Sequence, residues 1–366
     1  LSSSPDRATP PARRRSIDWA RGLAVLIMIQ AHVLDAWTLP SDRSTTAFHV
    51  LNILSGFAAP LFLWLAGVAL VLAGEREWRR TGDRRAAWHA LVRRGLEIFV
   101  LAFAFRLQAF LFNPGGDLIA LFRVDILNVM GLGLTAGGLL WGAIPSRGWQ
   151  PAVFAIVATF VAMVAPAVTT AGWIDALPVW CQWYIRPAGE HTVFTLFPWV
   201  GFVFAGSAAG ALTAALRDPA AEHRRHAMLA LFGAGLLAFG FYTASLPSIY
   251  RQSSFWTNSP AYFAIRAGVV LLTTAALHGL AAGLDLQWRP LQRLGRASLF
   301  VYWIHVQVVY GWATWPLHGR LRVWQTVVGF VVLSGLVYAL IPLKDRLVDV
   351  WTTRHLDRNA HTAASV

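Results

Sequence analysis

The sequence predicts an all-α fold, a polytopic membrane bundle of about ten transmembrane helices with both termini in the cytoplasm. Three observations carry that prediction. Apolar residues make up 56% of the 366 and charged residues only 13%, about half the roughly 25% of a soluble globular chain. Mean hydropathy is +0.51. Apolar runs near the roughly 20 residues that cross a bilayer recur from end to end. Backbone groups in lipid must bond internally, and these runs lack the short dyad alternation of a membrane barrel, so helices are expected throughout.

The spans fall near 17–39, 49–74, 91–112, 119–143, 150–170, 193–216, 227–246, 261–282, 298–316 and 322–343. Cations punctuate them in order. Arg7, Arg13, Arg14 and Arg15 precede the first span, seven arginines in 75–94 separate the second from the third, and Arg147 separates the fourth from the fifth. Arg217, Arg224 and Arg225 stand between the sixth and seventh, Arg289, Arg293 and Arg296 between the eighth and ninth, and four cations follow 343. The intervening connections hold only Arg43, Arg186, Arg251, Arg320 and Arg322. A division of 22 against five among the 31 Lys and Arg is the positive-inside pattern, so the formal charge of +13 reports orientation and contact with anionic lipid, not nucleic acid.

The first run is too long for a signal-peptide core and reads as a retained anchor. Residues 1–15 read as a flexible basic tail, 16–343 as one membrane domain and 344–366 as a cytoplasmic tail. Cys181 is the sole cysteine, which excludes an internal disulfide and a Cys-based metal cluster. No glycine-rich phosphate loop or zinc spacing is present, and no metal is expected. Trp19, Trp37, Trp141, Trp173, Trp180, Trp183, Trp256 and Trp315 fall near span ends, where amphipathic rings favour the headgroup layer.

Ionisable residues inside the spans mark an interior filled with water or ligand, because each costs at least about 2.5–3.5 kcal/mol at a helix centre. They are Asp18, Arg21, His32, Asp35, Glu97, Arg106, Arg123, Asp125, Arg266, His278 and His305. Arg21 and His32 share a face of the first helix, roughly 16 Å apart along its axis. Asp35, at i+3 from His32, is placed to accept one imidazole proton and leave the other nitrogen as a base. Glu97 and Arg106 face opposite ways and need partners on other helices. Asp125 and Asn128 share a face and line a polar cavity or bond to a neighbouring helix. Ser298, Tyr302 and His305 form a polar stripe on an aromatic helix. Taken alone, His305 reads as a packing residue and His278 as an interfacial one.

The segment Arg15-Ser16-Ile17-Asp18-Trp19-Ala20-Arg21-Gly22-Leu23-Ala24 with Met28 and His32 resembles the opening of the bacterial relatives of heparan-α-glucosaminide N-acetyltransferase. Pro60–Gly67, Phe197–Gly201 and Leu294–His305 resemble later segments of the same family in the same order, over nearly the whole chain. The resemblance implies ten or eleven spans, acetyl-CoA or another acyl-CoA as donor from the cytoplasm, and transfer to a sugar hydroxyl or amine on the far side. It maps His32 to the catalytic position and Arg21 to a donor-side or structural one.

The resulting expectation is an acyl-CoA-dependent acyltransferase of the bacterial inner membrane, with His32 and Asp35 catalytic. Asp18, Arg21, Arg123, Asp125, Asn128, Arg266, Arg296, Tyr302 and His305 are the expected donor- and substrate-binding set. Expected partners are acyl-CoA, a glycan or glycolipid acceptor, membrane lipids and a second copy in a homodimer. The rival reading is a transporter or flippase that uses the same intramembrane Arg and His groups.

Overall fold

The computed structural model describes residues 15–112, 118–192, 194–214, 216, 218–283 and 289–364. The expected tail over 1–15 lies outside the described residues except for Arg15. The described residues form thirteen α-helices joined by short 3₁₀ turns, with no named strand. They are α1 (Arg15–Trp37), α2 (Thr46–Ser55), α3 (Ala58–Thr81), α4 (Arg84–Phe112), α5 (Ile126–Ala143), α6 (Gln150–Thr169) and α7 (Val179–Gln182). Then come α8 (Val200–Ala214), α9 (Pro219–Ala244), α10 (Pro260–Gly283), α11 (Arg289–Arg296), α12 (Ser298–Tyr310) and α13 (Val323–Ala364).

Seven helical stretches are long and apolar enough to cross a membrane, and α8 and α12 are shorter apolar helices. Many of their large apolar side chains face outward, among them Leu231, Phe232 and Phe239 on α9 and Val328, Val331 and Val332 on α13. In water such a surface would aggregate; in lipid it costs nothing. The chain is a multi-pass membrane protein.

Polar cross-links define the two ends of the bundle. At the end rich in arginine, called here the basic face, Arg84 donates to the carbonyls of Pro145, at 2.6 Å, and of Trp141 and Ile144, closing the C-terminus of α5. Cations at a helix C-terminus satisfy its last carbonyls and oppose its dipole. Buried Glu75 on α3 holds Arg147 at 2.7 Å on the same face. At the opposite face, Leu39 donates to Leu321, Leu321 to Trp37, and Asn258 to Thr169.

Several helix crossings are closer than any side chain permits. A Cβ at Gly67 would overlap the Val203 carbonyl and one at Gly206 the Trp64 carbonyl, so α3 and α8 touch backbone to backbone. Gly22 and Gly295 play the same part between α1 and α11. Small residues drive such contacts in membranes, where packing must replace the hydrophobic effect.

Several expected boundaries shift. The second span is two helices: α2 ends at Ser55, and α3 begins beyond Gly56 with Pro60 in its first turn, where a missing N–H is tolerated. The fourth begins as a 3₁₀ turn over Leu118–Phe122, and its α-helix starts only at Ile126. No break in helix marks the boundary expected after 343, because α13 runs on to Ala364. Glu97 needs no other helix either, since it pairs with Arg93 at 2.9 Å and Arg94 at 3.3 Å on its own. Half of the tryptophans assigned to headgroups are core residues: Trp19, Trp37, Trp141 and Trp183 are buried.

Candidate functional site

A cavity of about 1970 Å³ lies among α1, α2, α4, α10 and α12 towards the opposite face. Small-molecule sites commonly measure roughly 300–1,000 Å³, so this one has room for two substrates together. Met28, His32 and Asp35 reach it from one face of α1 at i, i+4 and i+7. Phe105 and Arg106 on α4, Tyr262 and Arg266 on α10, and Tyr302 and Tyr310 on α12 complete much of the wall. His49, Trp199, Trp256, Trp312 and Trp315 add aromatic and imidazole rings to its lining.

His32 and His305 are joined directly. His32 Nδ1 lies 2.8 Å from His305 Nε2, with the two ring planes within 6° of each other. His305 is fully buried, and its Nδ1 lies 2.7 Å from the Val301 carbonyl. A carbonyl can only accept, so Nδ1 of His305 carries a hydrogen, and in the neutral ring Nε2 is then an acceptor. It follows that His32 donates from Nδ1, which puts the lone pair of His32 on Nε2. Among the described residues Nε2 has no protein partner, and His32 lines the cavity. One backbone carbonyl therefore sets the tautomers of two imidazoles in series.

This arrangement corrects the expected role of Asp35. The partner that orients His32 is His305, 273 residues away, not the carboxylate three residues on. Exposed Asp35 instead accepts from the Tyr310 hydroxyl at 2.8 Å, and the Tyr310 ring stands edge-on to His32 with centroids 5.7 Å apart. The segment around this pair is well tied. Trp37 Nε1 donates to the Val309 carbonyl at 3.1 Å, and Arg43 donates to the Asp35 carbonyl at 2.6 Å.

The cavity cations differ in their partners. Arg106 forms a 2.7 Å ion pair with buried Asp125. Asp125 is not inside a helix but caps α5: its carboxylate accepts from the Leu127 N–H, while the Asn128 side chain accepts from the Asp125 N–H, a reciprocal capping box. Asn128 is thereby turned from the cavity to the cap, and its amide also donates to Tyr184 at 3.3 Å. Burial pushes the Tyr184 phenol up to about 12, so it remains a neutral hydroxyl.

Arg266 is different. It is buried, with its guanidinium over the Tyr262 ring at 3.9 Å and the Trp199 ring at 4.9 Å, and it has no carboxylate partner among the described residues. Cation–π contact holds such a group without neutralising it. Arg123 lines the same wall from the connection before α5.

Asp18, Arg21 and Arg296 sit elsewhere. Asp18 and Arg296 pair at 3.2 Å at the basic face, and none of the three lines the cavity. Sequence reasoning did not assign Arg106, Tyr262 or Tyr310 a function. The i, i+4 spacing of Tyr262 and Arg266 was a usable signal, whereas the Tyr310–Asp35 bond depends on α1 lying beside α12.

A family model described as heparan-alpha-glucosaminide N-acetyltransferase, catalytic, matches residues 13–247. The chain belongs to this family. Membership implies a transferase of the acetyltransferase class, in agreement with the resemblance seen in the sequence. No curated protein matches the chain. The matched stretch contains His32, Asp35, Arg106, Arg123 and Asp125, while Arg266, Tyr302, His305 and Tyr310 lie beyond it. Folding brings that later part back onto the matched part, because α12 packs against α1.

Proposed function

We propose that the chain is an acyltransferase of a bacterial inner membrane that moves an acetyl group from cytoplasmic acyl-CoA to an amine or hydroxyl of an envelope glycan, with His32 as general base. The observation that carries this reading is His32 on the wall of a cavity large enough for donor and acceptor together, bonded from behind to buried His305. The acceptor attacks the thioester carbonyl carbon as His32 Nε2 takes its proton; a new N–C or O–C bond forms, the C–S bond breaks, and the thiolate leaves and is protonated. A base of this kind must sit within hydrogen-bond reach of the acceptor proton.

The positive charge gained by His32 is shared through Nδ1 with His305 and faces Asp35 nearby. Arg266, held by aromatic rings and without a carboxylate, suits an anionic group of either substrate, since the guanidinium fork matches phosphate and carboxylate alike. A donor arriving from the basic face would pass Asp18, Arg21 and Arg296; Arg21 lies roughly 16 Å along α1 from His32.

Orientation in this reading rests on the 22 to five division of cations and on ten spans with cytoplasmic termini. Reporter fusions at residue 84 and at the C-terminus are expected to read cytoplasmic, and fusions at 181 and 254 periplasmic. A cytoplasmic signal at 181 would remove the ten-span arrangement.

The activity itself is tested with purified protein, radiolabelled acetyl-CoA and a panel of amino sugars and glycans. Free CoA is expected to appear in step with label on the acceptor. Movement of a glycolipid across vesicles with no CoA release would favour the transporter reading instead.

A further inference from the structure

A second cluster of functional side chains lies away from the cavity, on the basic side of the pair formed by α9 and α10. Glu222 and His226 stand one turn apart on α9, and His278 faces them from α10. One ligand atom from each of the three lies within 4.8 Å of the others, and all three are half-buried. The His226 and His278 rings stack with centroids 3.7 Å apart and planes within 5°. His223 joins from the same turn of α9, its Nδ1 3.1 Å from His278 Nε2.

We infer that Glu222, His226 and His278, with His223 as a fourth ligand, form a zinc-type divalent metal site that clamps α9 to α10.

The chemistry of the donor set supports zinc. Imidazole nitrogens with one carboxylate suit Zn²⁺ and its first-row neighbours, whereas Mg²⁺ and Ca²⁺ prefer oxygen ligands. Four ligands complete a tetrahedron, and the 3.1 Å separation of His278 Nε2 and His223 Nδ1 is near the edge of one built on bonds of about 2.0–2.1 Å. The His226 and His278 rings stack in nearly parallel planes, so one of them turns to bring both lone pairs onto the same ion.

The tautomer of His226 fits as well. Its Nδ1 lies 2.9 Å from the Glu222 carbonyl, so Nδ1 is the donor and the lone pair of the neutral ring is on Nε2. Metal-ligating histidines characteristically donate their other N–H to a carbonyl or carboxylate in this way, which fixes the ring and raises its basicity.

The fold gives the metal a mechanical task. α9 packs mainly on α10 and only lightly on α8, and few of its side chains are buried. A cross-link at this end fixes α9 to the helix whose other end carries Arg266 and Tyr262, about 18 Å and about 24 Å from His278 along the axis.

The test uses the full chain, free of any polyhistidine tag, stripped with EDTA and exchanged into detergent. Zn²⁺ affinity is measured by competition with a chromophoric chelator, Co²⁺ supplies a visible d–d spectrum that reports geometry, and size exclusion verifies folding. The wild type is expected to bind one Zn²⁺ per chain, to show a tetrahedral Co²⁺ spectrum and to melt at higher temperature with Zn²⁺. His226→Gln and His278→Gln should each weaken Zn²⁺ binding at least about tenfold, and the double variant should lose the Co²⁺ bands. Folded wild type that binds no Zn²⁺, or folded double variant that binds it as tightly as wild type, would overturn the site.

Discussion

Replacing His32 by alanine is expected to lower acyl transfer per folded molecule by about 10²–10⁴-fold, the usual contribution of a positioned general base. The magnitude follows from geometry. His32 lines the cavity and carries its lone pair on Nε2, the nitrogen not bonded to His305, and two neighbouring rings are otherwise committed, His305 to His32 and Val301, and Tyr310 to Asp35. Neither is placed to take over as base. Donor affinity should change little, because in the proposed reaction His32 meets the reacting centre and not the nucleotide end of CoA. The decisive comparison is turnover of monodisperse His32→Ala protein against wild type at saturating acetyl-CoA, together with acetyl-CoA affinity measured separately. Near wild-type turnover in folded variant protein would remove His32 from the chemistry. Loss of both binding and turnover would instead make it part of the donor site.

Much of this arrangement was legible in the sequence because it depends on short-range periodicity. The placement of His32 and Asp35 on one side of α1 follows from 3.6 residues per turn, and the expectation of a polar interior follows from the cost of charge in lipid. Boundaries set by single residues were less accessible. Asp125 looked like a helix-face residue because the apolar run begins before it, yet its carboxylate caps the helix that follows. Hydropathy also ran straight through Gly56, where two helices meet.

Pairings between distant helices left no trace in one sequence. A carboxylate at i+3 was the nearest orienting group that spacing offered to His32, whereas the fold supplies an imidazole 273 residues away. The tryptophans taught a related lesson. Position near a span end favours the headgroup layer only for rings that face lipid, and Trp19, Trp37, Trp141 and Trp183 face neighbouring helices.

The pairing of distant helices yields the sharper prediction. His305 does not itself line the cavity but bonds to His32, which does, so its effect on catalysis is expected to pass through His32. In hydrolase triads the third member fixes the tautomer and orientation of the histidine base, and its loss costs up to about 10⁴-fold with little change in structure. His305→Ala is accordingly expected to lower kcat by about 10²–10⁴-fold with KM for acetyl-CoA nearly unchanged, since the freed His32 ring would sample both tautomers. His305→Gln should recover part of that loss. Its side-chain oxygen reaches about as far as the imidazole Nε2 and accepts the His32 Nδ1 hydrogen, although it abandons the Val301 carbonyl. A residue that only fills space would behave otherwise: both variants would lower melting temperature, and turnover per folded molecule would be the same in each. Partial rescue by glutamine and not by alanine, measured as kcat on folded protein, is thus the result that ties α12 to the reaction, and equal kcat in the two variants would reduce His305 to packing.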